Sequence, residues 1–186
     1  MAMPQTHVRY TVDDLESMPD DGNRREIIYG ELFVTPAPRF WHQAAVLELV
    51  EILRPYARSV GLRTFVSPAA ARASHTTQVE PDLFVFPRRP DVDGTTRWVA
   101  MSKLLLAVEI LSLSTTRSDR GPKRELYLSH AIAEYWIVDV DARCIEVWTP
   151  QHPEPRLATV TLSWQPRTGH DALTIDLSAL FDSIRS

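Results

Sequence analysis

Two runs of apolar residues constrain the fold more than any other feature of this sequence. Residues 83–86 are LFVF, and residues 104–111 are LLLAVEIL, in which Glu109 is the only charged residue. A strand that is apolar on both faces lies inside a sheet that other layers cover on both sides. The runs therefore predict two buried strands, over residues 79–86 and 104–111, at the centre of a mixed α/β (α+β) fold.

The longest helical pattern covers residues 41–60. Its apolar residues recur at helical spacing on one face, and Gly61 follows as a helix-ending residue. Pro55 is expected to kink this helix or to weaken its last turn. Shorter helices are predicted at residues 12–17, where Thr11 and Asp14 resemble a capping box, at residues 122–130 and at residues 178–184.

The remaining strands are shorter. Two hairpins are predicted, one from residues 26–29 and 32–35 and one from residues 134–140 and 144–149. Further strands are predicted at residues 62–66, 70–74, 157–164 and 173–175, and loops at residues 87–96 and 112–121. No internal repeat divides the chain. We therefore expect one domain over residues 1–186, with its core at residues 24–150 and C-terminal strands and a short helix at residues 157–184.

Charge and cysteine content exclude several classes of protein. The 186 residues carry a formal net charge of −4, so the chain is not a polycation that binds nucleic acid through bulk charge. The single Cys144 excludes an internal disulfide framework and favours a reducing compartment. The opening residues MAMPQTHVRY lack the apolar stretch of a signal peptide, and no apolar run is long enough to span a bilayer. We therefore expect a soluble cytoplasmic protein with no membrane partner.

Two carboxylates occupy the most apolar strands. Asp82 precedes the first run, and Glu109 interrupts the second. Burying an ionised carboxylate is costly unless the charge is paired or binds a metal. Either acid alone could end a strand facing solvent or pair with an arginine. Together, two acids on neighbouring buried strands could bind one Mg²⁺ or Mn²⁺, and with a positioned lysine they would suit phosphodiester hydrolysis.

The two acids and their neighbours resemble the core of the PD-(D/E)XK nuclease superfamily. Asp82 follows Pro81, and Glu109 is followed by Ile110 and Leu111. In the usual motif of the superfamily a lysine is the second residue after the glutamate, and Leu111 stands at that position here. The strict motif is therefore broken.

The chain resembles most closely the Uma2 (DUF820) family of restriction-endonuclease-like proteins. The similarity extends over residues 11–180, and it depends on the order and spacing of several segments. These segments are REIIYGEL (25–32), PAP (36–38) with His42, EPDL (80–83), VEILS (108–112) with Ser114 and Thr115, DRGPKRELY (119–127) and EYWIVD (134–139). The resemblance implies a restriction-endonuclease-like core with a central mixed sheet, flanking helices and an N-terminal hairpin.

The resemblance also implies roles for individual residues. Asp82 and Glu109 would bind Mg²⁺ or Mn²⁺ with help from the backbone carbonyl of Ile110. Lys123 matches the lysine that in this family lies on the following helix, where it would orient or activate the attacking water and stabilise charge on the phosphate. Lys103 and Lys123 are the only lysines among 20 basic residues. Arginine is a poor substitute in proton transfer because it does not deprotonate.

Four acidic or imidazole side chains are secondary candidates. Glu31 matches a recurrent family position and is a candidate additional acid near the metal, or else a hairpin residue that faces solvent. His42 is a candidate contact to a phosphate or a water, or else a polar residue at a helix start. Glu26 and Glu80 are expected to form ion pairs with nearby arginines instead.

The arginines and tryptophans of the matching segments each have two interpretations. Arg117, Arg120 and Arg124 are candidate contacts to phosphate, or else solvated charges beside acidic neighbours. Trp136 and Trp148 lie in apolar strands and are expected in the core rather than as base-stacking platforms. The sequence contains no zinc-ligand spacing, no glycine-rich phosphate loop and no G-x-S-x-G motif.

These features predict a metal-dependent endonuclease that hydrolyses phosphodiester bonds of nucleic acid, with DNA as the favoured substrate. One alternative is a catalytically silent module of the same fold that acts in binding or oligomerisation. Another is an enzyme that uses the same acids on a different phosphate ester. No helix-turn-helix or zinc finger is present to recognise a target sequence. Because a small nuclease needs two sites to cut two strands, a homodimer is expected.

Overall fold

The chain forms short strands and helices over residues 9–89, 92–93 and 95–186, which are the residues that this computed structural model describes. Within these ranges the helices are α1 (Val12–Ser17), α2 (Phe40–Ser59), α3 (Thr116–Ser118), α4 (Arg124–Ser129) and α5 (Leu177–Arg185). The strands are β1 (Arg24–Ile28), β2 (Glu31–Thr35), β3 (Leu62–Val66), β4 (Ala70–Ser74), β5 (Thr77–Val79), β6 (Leu83–Pro87), β7 (Trp98–Ala100), β8 (Leu106–Ile110), β9 (Glu134–Asp139), β10 (Cys144–Trp148), β11 (Arg156–Ala158), β12 (Thr161–Trp164) and β13 (Leu173–Asp176).

A mixed sheet of six strands lies at the centre, in the order β11-β10-β9-β8-β6-β3. Strands β8 and β9 run parallel, and the other neighbours are antiparallel. The two apolar runs form β6 and β8, which pair directly, with Leu83 opposite Val108. Every residue of β8 is buried, as are all residues of β6 before Pro87. The prediction of an α/β fold with a central mixed sheet is confirmed.

Apolar layers cover this sheet on both faces. Because alternate residues of a strand point to opposite faces, the leucine and valine of β6 pack in one core with α2 and α5. The two phenylalanines of β6 pack in a second core with α4. Glu109 alternates in the same phase as Ala107, so its side chain enters this second core. Trp136 and Trp148 are buried, one in each core, as predicted.

A second sheet, of five strands in the order β2-β1-β5-β4-β7, packs against the second core. Its strands β1 and β2 form the predicted N-terminal hairpin. In β1, Arg24 and Glu26 share a face with Ile28, which is part of the second core. The five-stranded sheet therefore directs two charged side chains toward the interior.

Most predicted helices and hairpins are present. Thr11 and Asp14 form the predicted capping box at the start of α1. Helix α2 runs through Pro55 and ends at Ser59. The second predicted hairpin is formed by β9 and β10, and the predicted C-terminal helix is α5.

Two segments predicted as single strands are each divided between sheets. The segment 79–86 is broken because β5 ends at Val79 and β6 begins at Leu83, in a different sheet. Pro81 has no N–H group with which to continue a strand ladder. The segment 157–164 is divided by a bend at residues 159–160, so that β11 pairs with β10 and β12 pairs with β13.

The segment after β8 is more helical than predicted. The predicted loop at residues 112–121 contains α3, whose helical backbone continues as far as a kink at Gly121. Gly121 has a non-helical backbone, with φ −113° and ψ −110°, so Pro122 begins the helical segment that leads into α4, as predicted. Strand β7, which pairs parallel with β4, was not predicted.

Some predictions fall on residues outside the described ranges. They concern the N-terminal segment 1–8 and positions 90, 91 and 94 of the predicted loop 87–96. Among the described residues, no helix combines the length and the apolar character needed to cross a membrane.

Candidate functional site

Asp82 lies where the chain enters β6, and three groups hold its carboxylate. Nη1 of Arg24 donates to Oδ1 at 2.6 Å. Nε2 of His42 lies 2.9 Å from Oδ2, to which the backbone N–H of Ile110 also donates at 2.8 Å. Burial opposes ionisation, but the hydrogen bond and charge of His42 and the charge of Arg24 outweigh it and keep the pKa of Asp82 below its usual range. Asp82 is therefore an anion at neutral pH.

Asp82 and Glu109 are cross-strand neighbours. The antiparallel register of β6 and β8 pairs Leu83 with Val108, which places the residue before Leu83 opposite the residue after Val108. Both acids are almost completely buried, at 3% and 1% exposure. The structure thus brings together the two carboxylates that the sequence singles out.

Glu109 has one satisfied oxygen and one free oxygen. Nζ of Lys123 and the hydroxyl of Tyr127 donate to Oε1 at 3.0 and 2.9 Å. Oε2 is buried and has no hydrogen-bond partner among the described residues. Burial raises the pKa of Glu109 well above its ordinary value, and the charge of Asp82 adds to this rise against the opposing charge of Lys123.

Lys123 is buried among three carboxylates. Its Nζ lies 2.8 Å from Glu26 Oε2, 3.0 Å from Glu109 Oε1 and 3.8 Å from Asp119 Oδ1. Burial lowers the pKa of this lysine, but the charges of Glu109, Glu26 and Asp119 outweigh burial and raise the pKa above its usual value. Lys123 is therefore a permanent cation in the folded protein.

Asp119 and Glu80 are acids at the edge of this cluster whose pKa values are raised. Burial raises the pKa of Asp119 to about 6, against the opposing charge of Lys123. Burial, with the charge of Glu26, raises the pKa of Glu80 to about 7. Oδ2 of Asp119 is buried without a hydrogen-bond partner among the described residues.

Glu26 corrects one prediction. Its expected partner was a nearby arginine, but its Oε2 pairs with Lys123, and its Oε1 accepts a hydrogen bond from the backbone N–H of Glu80 at 2.8 Å. The physical reason is the alternation of β1, which turns Glu26 into the second core where Lys123 lies. Glu80 also differs from expectation, because no ion pair with an arginine is formed between the described residues; Arg24 donates instead to its backbone carbonyl at 3.2 Å.

A cleft of about 410 Å³ opens over Asp82. Its walls are formed by residues 35–39, by the first turns of α2, by residues 66–68 and by residues 112–115. Arg24, His42 and Asp82 line it, whereas Glu109 and Lys123 do not. A molecule in the cleft would therefore meet Arg24, His42 and Asp82, whereas Glu109 and Lys123 lie outside the lining.

The two secondary candidates of the N-terminal half have different surroundings. His42 contacts Asp82 directly and lines the cleft, and its Nδ1 is buried without a partner among the described residues. Glu31 is exposed at the first position of β2, opposite Ile28. No hydrogen bond or ion pair between described residues joins Glu31 to the buried acids, so its assignment near a metal remains a prediction.

The three candidate arginines lie outside the residues that line the cleft. Arg117 is exposed. Nε of Arg120 donates to Glu146 Oε1 at 2.8 Å, and the guanidinium of Arg124 lies 4.8 Å from the ring centroid of Trp148. Contact of these arginines with phosphate remains a prediction, and two of the three already have protein partners.

Sequence reasoning missed Arg24 and misassigned Glu26. The sequence of β1 is RREII, and its three consecutive charged residues do not indicate which face of the strand is buried. In the structure Arg24 and Glu26 share a face with Ile28. A buried face with charges indicates partners elsewhere in the chain, which here are Asp82 and Lys123.

The chemistry of the donors fits a hard divalent cation. Asp82 lies one residue before β6 and Glu109 lies on the neighbouring β8, and Oε2 of Glu109 is a buried oxygen without a hydrogen-bond partner among the described residues. In the present arrangement Arg24 and His42 hold the oxygens of Asp82, and no group of three or more His, Cys, Asp or Glu side chains among the described residues is arranged to hold a metal. A cation at this site would therefore compete with the partners of Asp82, and further ligands would come from the backbone or from water.

Comparisons with known proteins agree with this fold. Residues 12–179 match the sequence profile of the Uma2 family, described as "Putative restriction endonuclease". A solved structure of a "putative nuclease belonging to DUF820" from Anabaena variabilis resembles the chain with a TM-score of 0.77 and 19% identity, over 94% of this chain and 99% of the other. At that identity the likeness shows the fold alone. No curated protein sequence matches significantly. Because the family profile covers nearly the whole chain, the protein belongs to the Uma2 family.

Proposed function

We propose that this protein is a metal-dependent nuclease that hydrolyses phosphodiester bonds of nucleic acid, with DNA as its substrate. The observation that carries the proposal is that Asp82 lines the cleft and lies beside Glu109, which is on the neighbouring strand β8. Membership of a family described as "Putative restriction endonuclease" supports the same class of reaction.

The charge of the buried cluster supports a role for a cation. Four buried carboxylates lie beside two permanently charged basic groups. The carboxylates belong to Asp82, Glu109, Glu26 and Asp119, and the basic groups to Lys123 and Arg24. If all four acids ionise, two negative charges remain uncompensated apart from any charge on His42. Because unpaired buried charge is costly, the cluster must hold protons or bind a cation.

In this proposal Asp82 and Glu109 would hold Mg²⁺ or Mn²⁺, with the backbone carbonyl of Ile110 as a further ligand. A divalent cation bound there would polarise the scissile phosphate and lower the pKa of a water. Asp82 supplies a negative charge that is present at neutral pH, because His42 and Arg24 keep its pKa low. Glu109 supplies the oxygen that lacks a partner.

We assign Lys123 to orient Glu109. Its ammonium lies 3.0 Å from Oε1 and favours the ionised carboxylate against the effect of burial. Lys123 is 1% exposed and does not line the cleft. It would therefore act on the attacking water through Glu109, as a positioning residue, rather than by taking up the proton of that water.

A cleavage assay tests the proposal. Plasmid DNA, duplex and single-stranded oligonucleotides and RNA would be incubated with the wild type and with Asp82→Ala, in Mg²⁺, in Mn²⁺ and in EDTA. We expect cleavage of DNA in the presence of metal and its loss in Asp82→Ala, because that variant lacks the carboxylate that lines the cleft. Asp182→Ala, which changes an exposed acid, is the matched control. Activity that survives in Asp82→Ala would overturn the assignment.

A catalytically silent module is the second candidate, and one observation favours it. Both oxygens of Asp82 already have protein partners, so this part of the site is satisfied without a metal. Calorimetric titration with Mn²⁺ separates the two candidates. Absence of binding, with and without DNA, would favour the module.

We further propose that the protein acts as a homodimer in a reducing compartment. Two copies would supply the two sites that cleavage of both strands requires, and Cys144 is a free, partly buried thiol. The molar mass in solution, measured by light scattering, tests the dimer. A monomer at all accessible concentrations would contradict it.

A further inference from the structure

Arg24 lines the cleft and holds the carboxylate of Asp82, which also lines it. Its side chain is 16% exposed and lines the cleft. Nη1 donates to Asp82 Oδ1 at 2.6 Å and to the backbone carbonyl of Glu80 at 3.2 Å. All the hydrogen bonds that the guanidinium makes with described residues come from this one nitrogen. Nε and Nη2 therefore remain as donors on a side chain that reaches the cleft.

The lining of the cleft around Arg24 is suited to an anion. Among the described residues, Asp82 is the only acid that lines it. Arg39 lines it at the start of α2, a helix of 20 residues whose N-terminus has no side-chain cap, and His42 follows in the first turn. Hydroxyl groups of Ser67, Ser112, Ser114 and Thr115 are also part of the lining, beside apolar side chains at positions 36–38, 46, 66, 68 and 113. A phosphate bound near Arg24 would meet donors on the polar part of this lining.

We propose that Arg24 is the phosphate-binding residue of this cleft and that it exchanges partners, binding a phosphate of the incoming nucleic acid and releasing Asp82 to the divalent cation. The inference rests on the proposed function and adds to it the residue that contacts the substrate. Arginine binds phosphate in a bidentate manner, through two parallel N–H donors. In this arrangement Arg24 and a metal compete for the same carboxylate.

The exchange makes the binding of nucleic acid and of metal cooperative. A phosphate that draws Arg24 away from Asp82 raises the affinity of the site for the cation. By linkage, the cation raises the affinity for the nucleic acid by the same factor. Without Arg24 the cation meets no competitor at Asp82, and the phosphate loses a contact.

Two binding measurements on Arg24→Gln test the inference without any cleavage. Calorimetry measures Mn²⁺ affinity in the absence of nucleic acid, and fluorescence anisotropy measures the affinity of a labelled DNA oligonucleotide in EDTA at several salt concentrations. We expect Mn²⁺ to bind at least about fivefold more tightly. We expect the oligonucleotide to bind about tenfold more weakly, with a salt slope lower by about one. Damage to the fold would weaken both affinities, so the opposite signs identify the exchange.

Two further variants complete the test. Arg117→Gln removes an exposed arginine outside the cleft and is expected to leave both affinities unchanged. Arg24→Lys keeps the charge beside Asp82 but loses the bidentate geometry. It is expected to leave Mn²⁺ affinity unchanged and to weaken oligonucleotide binding, which provides a test should Arg24→Gln fail to fold.

The outcomes separate this inference from the proposed function. Oligonucleotide affinity equal to the wild type in the Arg24 variants would overturn the role of Arg24, as would unchanged Mn²⁺ affinity in Arg24→Gln. If the wild type cuts DNA and Arg24→Gln binds Mn²⁺ and the oligonucleotide with wild-type affinity, only the inference about Arg24 is overturned. A wild type that cuts no nucleic acid, with both affinities shifted as expected in Arg24→Gln, would overturn only the proposed nuclease activity.

Discussion

The ammonium of Lys123 lies 2.8 Å from Oε2 of Glu26, and both side chains are 1% exposed. Glu26 is on β1 of the five-stranded sheet, whereas Lys123 lies between the kink at Gly121 and α4, in the segment that follows β8 of the six-stranded sheet. Since Lys123 also contacts Glu109, one buried cation joins both sheets. The stability of the fold and the geometry of the candidate site therefore depend on the same residue.

Lys123→Met is expected to destabilise the protein strongly. The substitution keeps most of the apolar volume but leaves the carboxylates of Glu26 and Glu109 buried without their cation. Breaking a buried ion pair in this way costs about 3–5 kcal/mol of unfolding free energy. Urea denaturation measures the change.

Lys103→Met is the matched control for this variant. Lys103 is the other lysine of the chain and is exposed. Its substitution is expected to change the unfolding free energy by less than about 0.5 kcal/mol. Equal stability of the two variants would contradict the structural role of Lys123.

Glu80→Gln is expected to flatten the dependence of stability on pH. The pKa of Glu80 is about 7 in the folded protein, above its ordinary value of 4.5, because burial and the charge of Glu26 disfavour ionisation. The folded state therefore binds this proton more tightly than the unfolded state. The resulting stabilisation is complete below pH 4.5 and is lost as the pH rises through about 7.

For Glu80 this loss is on the order of 2 kcal/mol, after allowance for partial exposure of the side chain. Urea denaturation of the wild type and of Glu80→Gln across this pH range measures it. Glu125→Gln, at an exposed position on α4, is the control and should keep the wild-type slope. An unchanged slope in Glu80→Gln would contradict the prediction. Asp119 has a raised pKa of about 6, so part of the dependence of stability on pH should remain in the wild type, in Glu80→Gln and in Glu125→Gln.

The central strands and the paired acids could be predicted from the sequence because each depends on a local pattern. Continuous apolar runs define β6 and β8, and an acid inside such a run stands out without any knowledge of the fold. The pairing of Leu83 with Val108 then makes Asp82 and Glu109 neighbours. The division of residues 79–86 was not predicted, because it depends on which sheet each half joins.

Arg24 and the true partner of Glu26 could not be predicted from local patterns. Both depend on how the five-stranded sheet lies against the second core, which the sequence of β1 does not specify. The complete burial of Lys123 likewise depends on how the helical segment after the kink at Gly121 packs against the second core, which the Gly121-Pro122 pair does not specify. The partners of Arg24 and Glu26 and the burial of Lys123 are therefore all determined by tertiary packing.

Saturating Mg²⁺ is expected to stabilise the wild type against urea. Only the folded state brings Asp82 and Glu109 together, so a cation that binds there shifts the equilibrium toward folding. At a concentration about 100 times Kd the gain is about 2.7 kcal/mol. Addition of EDTA should reverse it.

Glu109→Gln is expected to lose this stabilisation by Mg²⁺. The amide oxygen can still accept hydrogen bonds from Lys123 and Tyr127, so the effect on metal binding is separable from the effect on packing. Asp182→Asn, at an exposed position, should respond like the wild type. If Mg²⁺ still raises the unfolding free energy of Glu109→Gln, the cation binds at a site that does not include Glu109.

Arg39→Gln is expected to weaken the binding of a DNA oligonucleotide more than Arg120→Gln. Arg39 is exposed and lines the cleft, whereas the guanidinium of Arg120 is held by Glu146 at 2.8 Å and by Asp139 at 3.5 Å. Loss of a phosphate contact should lower affinity for all sequences alike and reduce the salt slope by about one. Arg120→Gln should lower the unfolding free energy instead, because Oε1 of the buried Glu146 loses the guanidinium, while Oε2 keeps only its hydrogen bond from Trp148. Fluorescence anisotropy at several salt concentrations measures both variants, and a larger loss of affinity in Arg120→Gln would move the nucleic-acid interface away from the cleft.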